Sequence, residues 1–192
     1  NLSGNRPGLF YHMIGNNGAA YSTYNRIGKI GEGIAPIHPD LVIISLGTNE
    51  AFGRSNAGSI KNEIDRLVKD IRHANPETAI LLVTPMECQR IVYTTVKGRK
   101  KKGRRRRSSR RVKGYSVNDN VERVRDVIVN YGKENHIPVY DWYTVAGGDG
   151  ASNKWIKDGL FSGDRIHHSI KGYKLQGLLM YQALREAFSQ SK

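Results

Sequence analysis

With only one cysteine, Cys88, in 192 residues, the chain can build no internal disulfide framework. It also lacks any stretch near the roughly 18 apolar residues of a membrane span, and no basic start followed by an apolar run marks a signal peptide. Asn1 has no initiator methionine before it, so the chain reads as processed or cut, with its true N-terminus unseen. Acidic residues are missing from one stretch: between Lys97 and Lys113 stand 12 Lys and Arg and no Asp or Glu. A formal charge of +14 would ordinarily point to nucleic acid or an anionic surface. Here that single run leaves the rest of the chain at only +2, so the basicity is local. The remaining composition, 38% hydrophobic and 25% charged with 21 glycines, suits a compact, turn-rich enzyme of one domain.

Short apolar runs alternate with helical periodicity, which predicts a parallel sheet covered by helices, a three-layer α/β/α sandwich. Residues 10–14 are expected as a first strand, and residues 41–46 and 79–83 as strands buried on both faces. Residues 138–141 give a shorter one. Ile60, Ile64, Leu67, Val68 and Ile71 form one face of a helix ending before Asn75-Pro76. Val121, Val124, Ile128 and Tyr131 predict a second helix starting near Asn118, and residues 171–188 a last one. Residues 87–117 are too long for a simple connection, and the basic core has nothing to bury, so they are expected as a mobile excursion. Residues 144–162 are expected as a glycine-rich loop.

In open parallel sheets, ligands sit beyond the carboxyl ends of the strands. Three polar clusters fall near such ends: Gly15-Asn16-Asn17-Gly18-Ala19, Gly47-Thr48-Asn49-Glu50 and Asp164-Arg165-Ile166-His167. Singly, Gly18 could be a turn glycine, Asn49 a helix cap and His167 a packing residue. Their order and placement together resemble the SGNH hydrolases, or GDSL esterases, whose blocks supply serine, glycine, asparagine and histidine in that order. The strings 45–53 and 164–172 especially resemble periplasmic Bacteroidetes-type members related to peptidoglycan and polysaccharide O-acetylesterases.

The resemblance implies a flavodoxin-like SGNH fold over residues 1–192, with an insertion at about 97–113. It assigns His167 as general base and Asp164 as its orienting carboxylate, with Gly18 and Asn49 as oxyanion donors. Glu50 stands where many relatives have aspartate. The family's nucleophile lies in a Gly-Asp-Ser motif after the first strand, and no such motif precedes Gly18. Ser3 follows no strand, Ser45 is expected inside a buried strand, and Ser22 on a helix, so the nucleophile stays unassigned and is expected upstream of Asn1. The first strand would then be missing too, leaving an open sheet edge for an N-terminal fragment of the same protein to complete.

The implied activity is serine esterase action on a small ester, such as the O-acetyl group of a carbohydrate, in a secreted or periplasmic setting. The alternative is a noncatalytic carbohydrate-binding or scaffold module on the same fold. No cofactor is required, and no metal is expected, because His167 and His168 are adjacent and point apart with no further ligand at suitable spacing. Gly147-Gly148-Asp149-Gly150 lacks the P-loop lysine and the EF-hand spacing. Trp142, Tyr143 and Trp155 could stack on a sugar or pack in the core. The run from Lys97 to Lys113 could touch an anionic surface weakly or be a solvated insertion; a basic-tail nucleic-acid binder is a third reading, which no interleaved aromatics support.

Overall fold

The computed structural model describes residues 8–97 and 109–190. Ser3 and the most basic part of the charged run, residues 98–108, lie outside them. Helices α1 (Tyr21–Ile27) and α2 (Ile30–Ile34) lead to strand β1 (Leu41–Ser45), and α3 (Thr48–Phe52) and α4 (Ala57–Ala74) follow before β2 (Ala79–Val83). A ribbon of β3 (Gln89–Lys97) and β4 (Ser109–Val117) precedes α5 (Asn120–Glu134) and β5 (Val139–Tyr140). Helices α6 (Trp142–Val145), α7 (Ala151–Lys157) and α8 (Ile170–Gln190) complete the chain.

Strands β1, β2 and β5 form a parallel sheet in that order, giving the mixed α/β architecture expected. In the register Val42 lies beside Ile80 and Ile44 beside Leu82, so these side chains share one face. Ile44, Ile80 and Leu82 join the buried stripe of α4 (Ile60, Ile64, Leu67, Val68, Ile71) and that of α5 (Val121, Val124, Ile128, Tyr131) in one apolar cluster. Each such side chain contributes about 1.5–3 kcal/mol on burial. The Asn56 carboxamide caps α4 by accepting from the Ser59 N–H at 2.8 Å, and the helix stops at Asn75, as the Asn-Pro pair predicts. Trp142, Tyr143 and Trp155 are core, not rim: Trp142 is 2% exposed and meets Trp155 edge-on at 5.5 Å.

Four expectations need correction. Residues 10–14 form no strand, and Phe10 and Met13 are 72% and 79% exposed. A strand exists only within a ladder, and among the described residues this run has no partner while β1 is paired on one side only. β1 is not buried on both faces: Ile43 is 37% exposed and Ser45 is exposed, because among the described residues no strand or helix closes over the outer side of this edge strand. The described parts of residues 87–117 are no loose excursion but an antiparallel ribbon with nine paired positions. Its backbone is satisfied locally, so no core is needed, and its β-branched and aromatic residues suit the pleat. Residues 144–162 hold the end of α6 and all of α7.

Two glycines fix where the rim loops lie. Gly47, between β1 and α3, has φ +119, and a Cβ there would stand 3.0 Å from Pro85 and 3.1 Å from Val124. Gly172, in the first turn of α8, brings that helix against the Leu160 carbonyl, which a Cβ would meet at 2.1 Å. Gly172→Ala should therefore destabilise the fold by about 1–3 kcal/mol through overpacking. Gly177→Ala, on the same helix with nothing within 4 Å, should stabilise by roughly 0.5–1 kcal/mol. Urea unfolding midpoints of the two variants check the opposite signs.

Candidate active site

The turn before α8 carries Asp164 and His167. Asp164 Oδ1 accepts from the N–H groups of Ile166 at 2.9 Å and His167 at 3.0 Å and from the Ser162 hydroxyl at 2.8 Å. Its Oδ2 meets His167 Nδ1 at 2.6 Å. Partial burial works the other way, yet the His167 ring, these two N–H groups and the Ser162 hydroxyl together hold the Asp164 carboxyl well below the usual carboxylate range. An anionic carboxylate on Nδ1 selects the tautomer that protonates Nδ1 and leaves Nε2 its lone pair. The sequence-predicted pair is thus formed, on an exposed turn.

Gly18 and Asn49 are joined at the other side of the chain's order. Asn49 is the second residue of α3, exposed, and its Nδ2 donates to the Ala19 carbonyl at 2.7 Å, leaving the second amide hydrogen available. Gly18 adopts φ +75 in an exposed turn, with open space where a Cβ would sit. Glu50 ties the same two segments: its buried Oε1 accepts from the Tyr21 N–H at 2.6 Å, at the first residue of α1. Burial raises its pKa, opposed by that backbone bond.

Buried polar side chains connect this pair of loops to the histidine turn. The Asn118 carboxamide, 1% exposed, donates to the Ala51 carbonyl of α3 at 3.1 Å, and its backbone N–H donates to Cys88 at 3.0 Å. The next residue, Gln89, donates its N–H to the Arg165 carbonyl at 3.0 Å. The Arg165 guanidinium returns a bond to Gln89 Oε1 at 2.8 Å and lies over the Tyr115 ring at 3.9 Å. Arg165 itself has φ 61, a left-handed backbone that costs a non-glycine residue free energy and that these contacts enforce. Neither Gln89, Tyr115, Arg165 nor Asn118 was identifiable from the sequence pattern, since each acts through partners far away in the chain.

Two tempting groups are chemically quiet. Burial, and then the charges of Glu87 and Asp164, push the Cys88 thiol up to about 12, so it supplies no thiolate near neutrality. His168 points away from His167 into rings of Trp155, Phe161 and Tyr173, each centred 5.1 Å away. Among the described residues no group of three or more His, Cys, Asp or Glu could hold a metal ion.

The structure thus brings Asp164 to Nδ1 of His167 on one turn and the Asn49 carboxamide to Ala19, next to Gly18, on another. The family model of GDSL-like lipases and acylhydrolases matches residues 4–175, and the chain belongs to that family. Among solved structures it is similar to a peptidoglycan O-acetylesterase at 21% identity and TM-score 0.69, over 89% of this chain and 44% of that one. It is also similar to an acetyl xylan esterase at 13% identity and TM-score 0.59, over 88% and 78% of the two chains. These likenesses show the fold, and the chain spans less than half the length of the peptidoglycan O-acetylesterase. No curated protein sequence matches the chain significantly.

Two predictions follow from the turn's surroundings. Burial, with the neighbouring His167 charge adding to it, lowers the His168 pKa from 6.5 to about 4. The unfolded chain protonates first, so stability present above about pH 6.5 is lost as pH falls toward 4. His168→Phe should flatten that fall in Tm; an unaltered acid limb would contradict desolvation of the ring. Arg165→Ala should speed hydrogen exchange at the Ile166 and His167 amides by about tenfold, the loss of ~1.4 kcal/mol of closing free energy. NMR exchange rates compared with those of α4 test it.

Proposed function

We propose that this chain supplies the base, its orienting carboxylate and the oxyanion donors of a serine esterase that removes small acyl groups, O-acetyl foremost, from a carbohydrate. The observation that carries the reading is the 2.6 Å contact between Asp164 Oδ2 and His167 Nδ1 within a D-x-x-H turn. Family membership and the two acetylesterase neighbours support ester hydrolysis. The carbohydrate comes from the names of those neighbours.

In this mechanism, a serine hydroxyl from residues outside this chain attacks the ester carbonyl while His167 Nε2 takes its proton. Asp164 stabilises the imidazolium and is not itself protonated. Negative charge collects on the former carbonyl oxygen, to which the Gly18 N–H and the free Asn49 amide hydrogen donate. Collapse expels the alcohol, which receives the proton from His167. Water then repeats the sequence on the acyl-serine and releases the acid. The open edge of β1 is where the segment bearing that serine would add its strand, whether from the same polypeptide or a separate fragment. An exported location fits neighbours named for peptidoglycan and acetyl xylan, and no helix among the described residues is long and apolar enough to cross a membrane.

Cleavage of 4-nitrophenyl acetate by the full polypeptide tests the reading. His167→Ala should abolish turnover without changing the circular dichroism spectrum. Asn49→Ala should lower kcat about 10²–10³-fold with little change in KM, because its bond strengthens as the oxyanion forms. Full activity in His167→Ala, or no hydrolysis by the unsubstituted protein, would favour a noncatalytic glycan-binding module instead.

A further inference from the structure

The register of the ribbon sorts its side chains by face. Ile91 pairs with Tyr115, Tyr93 with Lys113, Thr95 with Arg111 and Lys97 with Ser109, so these eight share one face. Arg165 stacks on Tyr115, so this is the face turned toward the Asp164 to His167 turn. Along it, Lys113 lies over Tyr115 at 5.5 Å and Arg111 over Tyr93 at 4.9 Å. The result is a row of Arg165, Tyr115, Lys113, Tyr93 and Arg111, with each cation lying on a ring and both strands free of acidic residues. Val92, Val96 and Val112 point to the opposite face with Arg90 and Arg110.

A cation lying on a ring keeps its N–H groups available at the edge, and the stack limits its rotamers, so less entropy is lost when an anion binds. From Tyr115 to Arg111 the row covers four residue steps, about 13 Å, of a ribbon about 30 Å long. It begins beside His167, through Arg165. Arg165 and Lys113 both lie over Tyr115 and Arg111 takes one face of Tyr93, so Tyr93 alone offers ring surface and there is no run of bare rings for successive nucleobases. The valines are turned away and Ile91 is the one aliphatic side chain among these eight, too little apolar surface to insert into a lipid layer. The chemistry that fits is a hydrophilic chain carrying carboxylates, with the reactive ester at one end of the row.

We propose that the site-facing side of this ribbon is a subsite for the acid-bearing stretch of the carbohydrate polymer whose ester reaches the Asp164 to His167 turn. The proposal rests on the esterase reading above, and its test separates the two. The full polypeptide is given acetylated polygalacturonate and, in parallel, neutral acetylated xylan. Binding of unesterified polygalacturonate is measured by calorimetry. Arg111→Gln with Lys113→Gln should lower the acidic-to-neutral ratio of kcat/KM about fivefold, through KM, and weaken polygalacturonate binding by a similar factor. Arg90→Gln with Arg110→Gln removes two charges from the opposite face and should leave both quantities within about twofold. Equal effects of the two double variants would overturn the proposal, since net charge alone would then act. Tighter binding to a DNA duplex or to vesicles of anionic lipid than to polygalacturonate, lost equally in Arg111→Gln with Lys113→Gln, would also overturn it. If no ester is cleaved, the esterase reading fails while the calorimetric comparison still decides the subsite.

Discussion

A carboxylate and an imidazole three residues apart meet only if the turn between them is held shut, and the candidate site depends on that closure. Asp164 contributes by accepting two backbone N–H bonds with one oxygen while the other holds His167. That arrangement requires the intervening Arg165 to stand at φ 61, where a free chain would rarely leave it. The opposing force comes from outside the turn. Gln89 holds both the carbonyl and the guanidinium of Arg165, and Tyr115 supports the guanidinium plane. The ribbon is therefore a structural part of the site at its base, whatever its outer length does.

The same logic runs around the rim. Loops at the carboxyl ends of parallel strands cannot satisfy their backbone groups by sheet bonding, so buried polar side chains do it instead. Glu87, 3% exposed, accepts from the N–H groups of Gly150 and Ser152 and from the Ser152 hydroxyl, which fixes the start of α7. Asn118 joins α3 to the segment after β2, and Glu50 joins α3 to α1. Each removal would leave a buried partner unpaired, at a cost of roughly 1–3 kcal/mol. Rigid side-chain anchoring of this kind is what a pre-organised oxyanion site needs.

How much of this could be read from the residues alone follows from the range of each interaction. Helices α4 and α5 were legible because periodicity reports a buried face, and β1 and β2 because their runs are apolar; α8 was legible too, although its stripe is only half-buried through Leu175 and Leu179, with Leu178 exposed. The Asp164 to His167 pair was legible because its partners are three residues apart. Residues 10–14 misled because apolar content reports a tendency to be buried, not the presence of a neighbouring strand. The ribbon was hidden by its charge: Ile91, Tyr93 and Thr95 alternate with Val92, Thr94 and Val96 as in any strand, but the Lys and Arg beside them suggested solvent. Arg165 was illegible since its partner Gln89 is 76 positions away. Helix α7 was concealed by the flanking glycines, which turned out to be its boundaries.

Charge is distributed unevenly around this rim, and range decides what that can do. A cleft of about 230 Å³ beside the base of the ribbon is lined by Glu87, Asp119, Glu122 and Asp149 with Asn118 and Tyr143. It is acidic, while the ribbon beyond it is basic. At physiological ionic strength, exposed charges more than about 8 Å apart are largely screened. Charges at the distal end of the ribbon therefore act mainly on whatever touches them. The cleft's carboxylates disfavour an anion that touches them, and the cations of the ribbon favour one. The asymmetry of the two surfaces therefore bears on where around the rim an anion can rest, while the chemistry at the turn is left to Asp164 and His167.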